Sequence, residues 1–236
     1  MRRRDVLNAG HEIEIRLDGH IGIYRRGLGE IADVAADVDG IRGDIEAGDT
    51  AAARQLFGEA ISPDTHTGPP RGTLNDGVSF LWRWELAGHK RDAEAWRTVY
   101  AFVTGAFPRA GVAFSDMHIA LAQAVAGDAA ALETRARQMN ELVREGRYPS
   151  GPCVPATSHG FAAFERGDFS TAIEALEPIA GELERIGGSH AQLDLVVFTL
   201  VKAYLSADRL DDARRVLSRR RASPAGVPVA GLAIVN

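Results

Sequence analysis

A set of polar residues recurs at a spacing that would place them on one surface of a repeated helical fold. Asp76 and Asp116 are 40 residues apart. Arg83 and Gln123 each follow one of these acids by seven residues, which is two turns along the same helix face. The positions that this spacing is expected to bring into one groove are Asp76, Arg83, Asp116, Gln123, His159, His190 and Asp194.

The residue types in this set favour two kinds of chemistry. A mixture of acids, one arginine and two histidines suits a polar ligand, or a peptide with charged ends. His190 and Asp194 are spaced i, i+4 on a predicted helix and can touch. Because a carboxylate can orient and tune an imidazole, His190, Asp194 and Asp116 could also form an acid–base site.

Each of these residues also has a structural interpretation. Asp76 could cap the helix that is predicted to begin near Leu74, and Arg83 could pair with Asp76 or Glu85 at the surface. His159 and His190 are single histidines on helices, where structural roles are commoner than ligand contacts. His118 lies about 200° around the helix from Asp116, so we expect it to pack in the core instead of the groove.

The sequence lacks the motifs of several established sites. It contains no His-Glu-x-x-His, no Gly-x-Ser-x-Gly and no phosphate-binding glycine loop. Its single cysteine, Cys153, cannot form an internal disulfide or a paired-cysteine metal site. Neighbouring Ser and His residues on a helix diverge by about 100°, so Ser158-His159 and Ser189-His190 do not make a nucleophile and its base. No metal and no cofactor are therefore expected.

Composition narrows the class of protein further. The chain has 236 residues, 45% of them hydrophobic, and a formal net charge of -5. This charge argues against nucleic acid as a partner, because nonspecific affinity for phosphates comes from many Lys and Arg contacts. No apolar run approaches the roughly 18 residues of a membrane span, and no apolar segment follows the basic start as in an export signal. We expect a cytoplasmic protein with no membrane partner.

The strongest pattern in the chain is a repeat of turn residues. Gly48, Gly88, Gly127, Gly167 and Asp208 follow one another at intervals of 40, 39, 40 and 41 residues, with helical periodicity on both sides. Glycine suits a left-handed residue that ends one helix, and the aspartate after it can cap the next. The pattern predicts an all-α fold: a tetratricopeptide-like right-handed α-solenoid of about five hairpins with a period of about 40 residues.

The repeat also divides the chain. Residues 1–28 are interpreted as an N-terminal leader that is partly helical, residues 29–222 as the solenoid, and residues 223–236 as an apolar tail. The breaker-rich segment Ser62–Gly72 is expected to be an exposed loop or joint. Because the tail and the solenoid ends need covering, a homo-oligomer, most simply a dimer, is expected.

Four segments give the chain a resemblance to a known family. In order they are Asp76–Leu86, Phe114–His118, Gly167–Ala172 and Gly187–Asp194. Together they resemble the tetratricopeptide repeat protein 38 family over roughly Leu74 to Arg220. Family members are usually about twice as long, so the resemblance implies a C-terminal half. It implies the solenoid fold and leaves the activity open, because the family has no assigned molecular activity.

Three functions are compatible with these observations. The preferred hypothesis is a tetratricopeptide-like scaffold that binds a peptide, a protein or a small polar ligand in its concave groove. A small-molecule enzyme that uses a His/Asp acid–base pair in a closed groove is the second. A structural assembly subunit, with the polar surface covered by a partner chain, is the third.

Overall fold

A computed structural model of the chain describes residues 5–7, 11–15, 23–25, 50–188 and 190–219. Nine α-helices lie in this described part. They are α1 (Thr50–Leu56), α2 (Pro70–Leu86), α3 (Ala93–Ala106), α4 (Ala113–Val125), α5 (Ala129–Arg144), α6 (Cys153–Glu165), α7 (Phe169–Leu176), α8 (His190–Ser206) and α9 (Leu210–Arg219). A wider π-helical turn, Phe57–Ile61, continues α1, and a 3₁₀ turn, Leu183–Ile186, precedes α8. Every regular element described between residues 50 and 219 is helical, which confirms the all-α prediction for this region.

The described residues of the leader form strands instead of the partly helical segment that was predicted. β1 (Asp5–Leu7), β2 (His11–Ile15) and β3 (Ile23–Arg25) pair antiparallel in the order β1-β2-β3. The physical reason is visible in β2, where Glu and Ile alternate with the period of two that strands require.

The repeating turns have the predicted backbone conformation. Gly88, Gly127 and Gly167 have φ values of 96°, 69° and 74°, and Asp208, which stands in the same place, has φ 60°. A left-handed residue therefore ends α2, α4, α6 and α8, as the spacing predicted. Gly48, the first of the series, lies outside the described residues.

Aspartate side chains cap the N-terminus of the second helix in three hairpins. Each accepts a hydrogen bond from the backbone N–H three residues later: Asp92 from Ala95 at 3.1 Å, Asp128 from Ala131 at 2.9 Å and Asp168 from Thr171 at 3.1 Å. These contacts satisfy amides at the helix ends that have no intrahelical partner. The capping prediction is therefore confirmed for α3, α5 and α7.

Helix α2 begins at Pro70, one turn before the predicted start at Leu74. Proline is favoured at the first position of a helix because its missing N–H is not needed there, so the Pro69-Pro70 pair marks a helix start within the predicted loop. Asp76 consequently lies in the second turn of α2. The interpretation of Asp76 as a helix cap is wrong.

The described helices form four hairpins: α2–α3, α4–α5, α6–α7 and α8–α9. The first helix of each hairpin packs against the first helix of the next, and the first helix of the last hairpin also contacts that of the first. α2 contacts α4, α4 contacts α6, α6 contacts α8, and α8 contacts α2. The α2–α8 contact includes a buried hydrogen bond of 2.8 Å in which Trp82 Nε1 donates to Thr199 Oγ1. We call α2, α4, α6 and α8 the inner helices. The core lies between them, and its largest fully buried side chains include Trp82, Phe161, Phe198 and Tyr204.

Candidate functional site

The seven residues that were predicted to share one groove differ in burial. Asp76 and Arg83 on α2 and Asp116 and Gln123 on α4 are buried, Asp194 on α8 is half-buried, and His159 on α6 is exposed. His190 begins α8, but its side chain lies outside the described residues. The repeat of about 40 residues correctly assigns these positions to the inner helices, but it does not predict which residues contact them.

Asp116 belongs to a buried structural network. Its Oδ1 accepts from Arg135 at 2.7 Å, and its Oδ2 accepts from the Tyr148 hydroxyl at 2.8 Å and from the Gly111 N–H at 2.9 Å. Burial and this carboxylate hold the pKa of Tyr148 above its usual value. Both Asp116 oxygens are thus occupied in joining α4 to α5 and to the loops beside them, so we do not assign Asp116 to an acid–base site.

A serine–histidine hydrogen bond joins α2 to α4. His118 is fully buried, with Nδ1 2.8 Å from the Phe114 carbonyl and Nε2 3.0 Å from Ser79 Oγ. Since a carbonyl only accepts, Nδ1 carries the proton, and the Ser79 hydroxyl donates to Nε2. Burial lowers the pKa of His118 to about 4, so the ring is neutral near pH 7. The prediction that His118 packs in the core is confirmed.

Asp76 is a buried carboxyl with one weak partner. Its Oδ1 accepts from Gln192 Nε2 on α8 at 3.5 Å, and among the residues that the structure describes it forms no ion pair. Burial raises the pKa of Asp76 to about 7, and the Gln192 hydrogen bond lowers it only in part. A carboxyl in this state can hold or release a proton at neutral pH.

His66 and Asp76 both approach Gly72, at the beginning of α2. The His66 Nδ1 atom is 2.8 Å from the Ala60 carbonyl, whereas its Nε2 is buried without a hydrogen-bond partner in the described part of the chain. A Cβ atom at Gly72 would lie 3.6 Å from His66 Nε2 and 3.8 Å from Asp76 Oδ2. We call the space between these three residues the Gly72 niche.

Two further buried polar atoms on α2 and α4 have no hydrogen-bond partner within the described residues. Asn75 Oδ1 lies on α2 one turn before Ser79, and Ser115 Oγ lies on α4 one turn before His118. Buried polar groups in folded proteins are nearly always hydrogen-bonded, so each unpaired atom is a point that a bound molecule could complete. The α2–α4–α8 polar site is defined here as His66, Asn75, Asp76, Ser79, Ser115, His118 and Gln192.

Arg83 extends the buried polar face of α2 away from the niche. Its guanidinium lies 5.9 Å from the centre of the Phe198 ring on α8, and its charge contributes to the lowered pKa of His118. The α2–α8 contact therefore has a carboxyl near its beginning and a cation two turns farther along.

Three segments that carried the family resemblance meet at this site. Asp76 contacts Gln192, Ser79 contacts His118, and a Cβ on Gly188 would overlap the Phe114 ring. Gly188 has φ 91°, so its conformation and this close approach both favour glycine. These three segments, which are distant in the sequence, are therefore close together in space.

Sequence reasoning missed most of the polar site. His66 lies in a segment interpreted only as a loop, and Asn75 and Gln192 carry no motif. The separation of Ser79 and His118 by 39 residues, close to the repeat length, was the one signal that could have paired them.

Comparisons with known proteins give no family. No family model matches the chain, and no solved structure matches it. Within the described ranges no helix combines the length and the apolar character needed to cross a bilayer. The same residues contain no group of three or more His, Cys, Asp or Glu side chains placed to hold a metal ion.

Proposed function

We propose that the chain is a helical-hairpin protein that binds a small polar ligand in the α2–α4–α8 polar site. The observation that carries this proposal is a buried carboxyl that forms no ion pair with any described residue, together with buried polar atoms on the same elements that have no hydrogen-bond partner in that part of the chain. Among the described residues these atoms are His66 Nε2, which lies beside Gly72 with Asp76 Oδ2, and Asn75 Oδ1 and Ser115 Oγ on α2 and α4. A ligand that pairs with them would remove the cost of burying them unpaired, about 1–3 kcal/mol for each group.

The state of Asp76 supports a functional role. Because burial raises its pKa, the carboxyl lowers the stability of the folded protein at neutral pH relative to a neutral residue of the same shape. A polar group that reduces stability is typical of a site whose role is binding or catalysis.

A small ligand is favoured over a peptide because α2 and α8 are in contact. Trp82 and Thr199 join these helices, and Arg83 lies against Phe198 in the same contact. An extended peptide in a concave groove would need this inner surface to be open. The Gly72 niche instead lies at the beginning of α2, next to the exposed residues Thr67 and Pro69.

A small-molecule enzyme is the second candidate function, and the Ser79–His118 pair favours it. A serine hydroxyl that donates to a neutral imidazole, whose other nitrogen is fixed by a carbonyl, has the geometry of a nucleophile and its base. Recovery of the ligand chemically unchanged after prolonged incubation supports binding, whereas conversion that is lost in Ser79→Ala supports the enzyme.

The remaining assignments are also proposals. We propose a tetratricopeptide-like arrangement related to the tetratricopeptide repeat protein 38 family, a cytoplasmic location and a homodimer. The regular turn spacing and the left-handed turn residues support the repeat arrangement. An assembly subunit is the third alternative, and it would be favoured if a partner chain covered the α2–α4–α8 polar site.

The proposed function is tested by a thermal-denaturation screen of small polar compounds on the wild type and on Gly72→Ala. The added methyl group would occupy the niche at ordinary contact distances, and alanine is favoured over glycine in a helix by about 1 kcal/mol. We expect compounds that stabilise the wild type to have no effect on Gly72→Ala, although that variant is at least as stable.

Gly105→Ala is the matched control for this screen. Gly105 lies in α3, and a Cβ there meets no other atom within 4 Å. This variant should keep the full response to each compound. Equal responses of Gly72→Ala and the wild type, or the absence of any stabilising compound, would overturn the proposed site.

A further inference from the structure

We propose that the ligand carries a primary ammonium group, whose N–H groups bind Asp76 Oδ2 and His66 Nε2. This inference rests on the proposed function, because it names the chemical class of ligand for the same site. It follows from the hydrogen-bonding character of these two atoms, their position on either side of Gly72 and the charge around them.

Both atoms are acceptors. The His66 Nδ1 proton is donated to the Ala60 carbonyl, so Nε2 presents a lone pair to the niche. The Asp76 Oδ1 atom accepts from Gln192, which leaves Oδ2 on the side of Gly72. A ligand that completes this pair must donate hydrogen bonds.

The charge distribution favours a cation over an anion. Asp76 forms no ion pair with any described residue, and its one hydrogen-bond partner, Gln192, is neutral. Two backbone amides at the start of α2, Gly72 N–H and Thr73 N–H, are already used, because both donate to the Pro69 carbonyl, at 2.8 and 3.4 Å. An anion would face the Asp76 carboxyl and the His66 lone pair, whereas an ammonium group would pair with the carboxylate.

The absence of a side chain at Gly72 leaves the two acceptors facing the same stretch of backbone. A Cβ atom there would lie 3.6 Å from His66 Nε2 and 3.8 Å from Asp76 Oδ2. An ammonium group carries three donors, so it offers at least one to each acceptor. The rest of the ligand would extend towards the exposed residues Thr67 and Pro69.

Binding of an ammonium group has a measurable consequence for protons. Because burial raises the pKa of Asp76 to about 7, this carboxyl is partly protonated in the free protein near pH 7, and a cation would displace the proton. Among its neighbours, His118 is neutral at this pH because its pKa is about 4. His66 also borders the niche, and His66→Gln separates its contribution.

The test uses three panels of compounds matched in size: primary amines, carboxylic acids and neutral polyols. We expect amines alone to stabilise the wild type, and to bind Asp76→Asn at least tenfold more weakly. Calorimetry in two buffers of different ionisation enthalpy, neither of them a primary amine, should show that protons are released when an amine binds at pH 7. Asp76→Asn should abolish this release.

Asp64→Asn is the charge-matched control, since Asp64 is exposed in the neighbouring loop. It should bind amines like the wild type. If acids or polyols stabilise the wild type and lose their effect in Gly72→Ala, the amine assignment is overturned and the proposed site stands. Equal amine binding by Asp76→Asn and the wild type also overturns it. If no compound acts, both proposals fail.

Discussion

Ser79 Oγ and His118 Nε2 form a 3.0 Å hydrogen bond in the buried contact between α2 and α4. Ser79→Ala leaves the imidazole nitrogen without a donor, and we expect it to lower the free energy of unfolding by about 1–3 kcal/mol. Ser158→Ala is the matched control, because the equally buried Ser158 hydroxyl bonds only to Val154 of its own helix. Urea denaturation at pH 7 measures both. Equal losses in the two variants would contradict the importance of the Ser79–His118 bond.

The pH dependence of stability should contain two opposing contributions. His118 has a folded pKa of about 4, below its ordinary value of 6.5, so the unfolded chain binds more protons between these values. Its contribution to stability is therefore present above pH 6.5 and declines as the pH falls towards 4, by about 3 kcal/mol in all. Asp76 has a folded pKa of about 7, above 3.8, so its contribution is present at low pH and declines as the pH rises from 4 to 7.

Asp76→Asn separates these two contributions. The variant should raise the free energy of unfolding at pH 8, by up to about 4 kcal/mol, because it removes a buried carboxylate. It should also make the loss of stability between pH 6.5 and 4 steeper than in the wild type, since the opposing contribution is gone. Urea denaturation at several pH values measures both effects. A variant that is less stable than the wild type at pH 8 would contradict the unpaired state of Asp76.

The turn between α6 and α7 can be tested by exchanging residue types at equivalent positions. Gly167 has φ 74° and a Cβ there would meet no atom within 4 Å, so Gly167→Ala should cost about 1 kcal/mol from backbone strain alone. Asp208 has φ 60°, and Asp208→Gly should cause no loss. Thermal denaturation distinguishes these outcomes. An unchanged melting temperature in Gly167→Ala would argue against the left-handed turn.

The Asp116–Arg135 pair should dominate the electrostatic contribution to stability. Its side chains are 2% and 3% exposed and 2.7 Å apart, so Arg135→Met leaves a buried carboxylate unpaired and should cost about 3–5 kcal/mol. Arg144, in a 3.7 Å pair with Glu141 at 73% and 65% exposure, provides the control. Arg144→Met should cost at most about 0.5 kcal/mol. Similar costs for the two variants, measured by urea denaturation, would be inconsistent with the buried network.

The repeat of turns was predictable because it depends on local chemistry. Gly127 and Gly167 end helices in a left-handed conformation, and Asp128 and Asp168 cap the helices that follow. Each feature involves residues within a few positions of one another, so the sequence contains the whole signal. The beginning of α2 was mistaken because proline both breaks helices and begins them.

The site was less predictable because it depends on contacts across the chain. The hydrogen bonds from Gln192 to Asp76 and from Trp82 to Thr199 join residues more than 100 positions apart. A period assigns each residue to an inner helix, but it does not state which inner helices meet. The contact between α2 and α8 is therefore a property of the packed chain. For the same reason Asp76 and Asp116, one repeat apart, have different partners.

The direct test of the binding site is carbon-13 NMR of the Asp76 side-chain carboxyl, with its signal assigned by comparison with Asp76→Asn. The signal should titrate near pH 7 in the free protein. When a compound that stabilises the wild type is added at fixed pH, the signal should shift and saturate at the concentration that saturates the thermal stabilisation. A carboxyl signal that does not move while the compound is bound would contradict the assignment of Asp76 and the Gly72 niche to the ligand site.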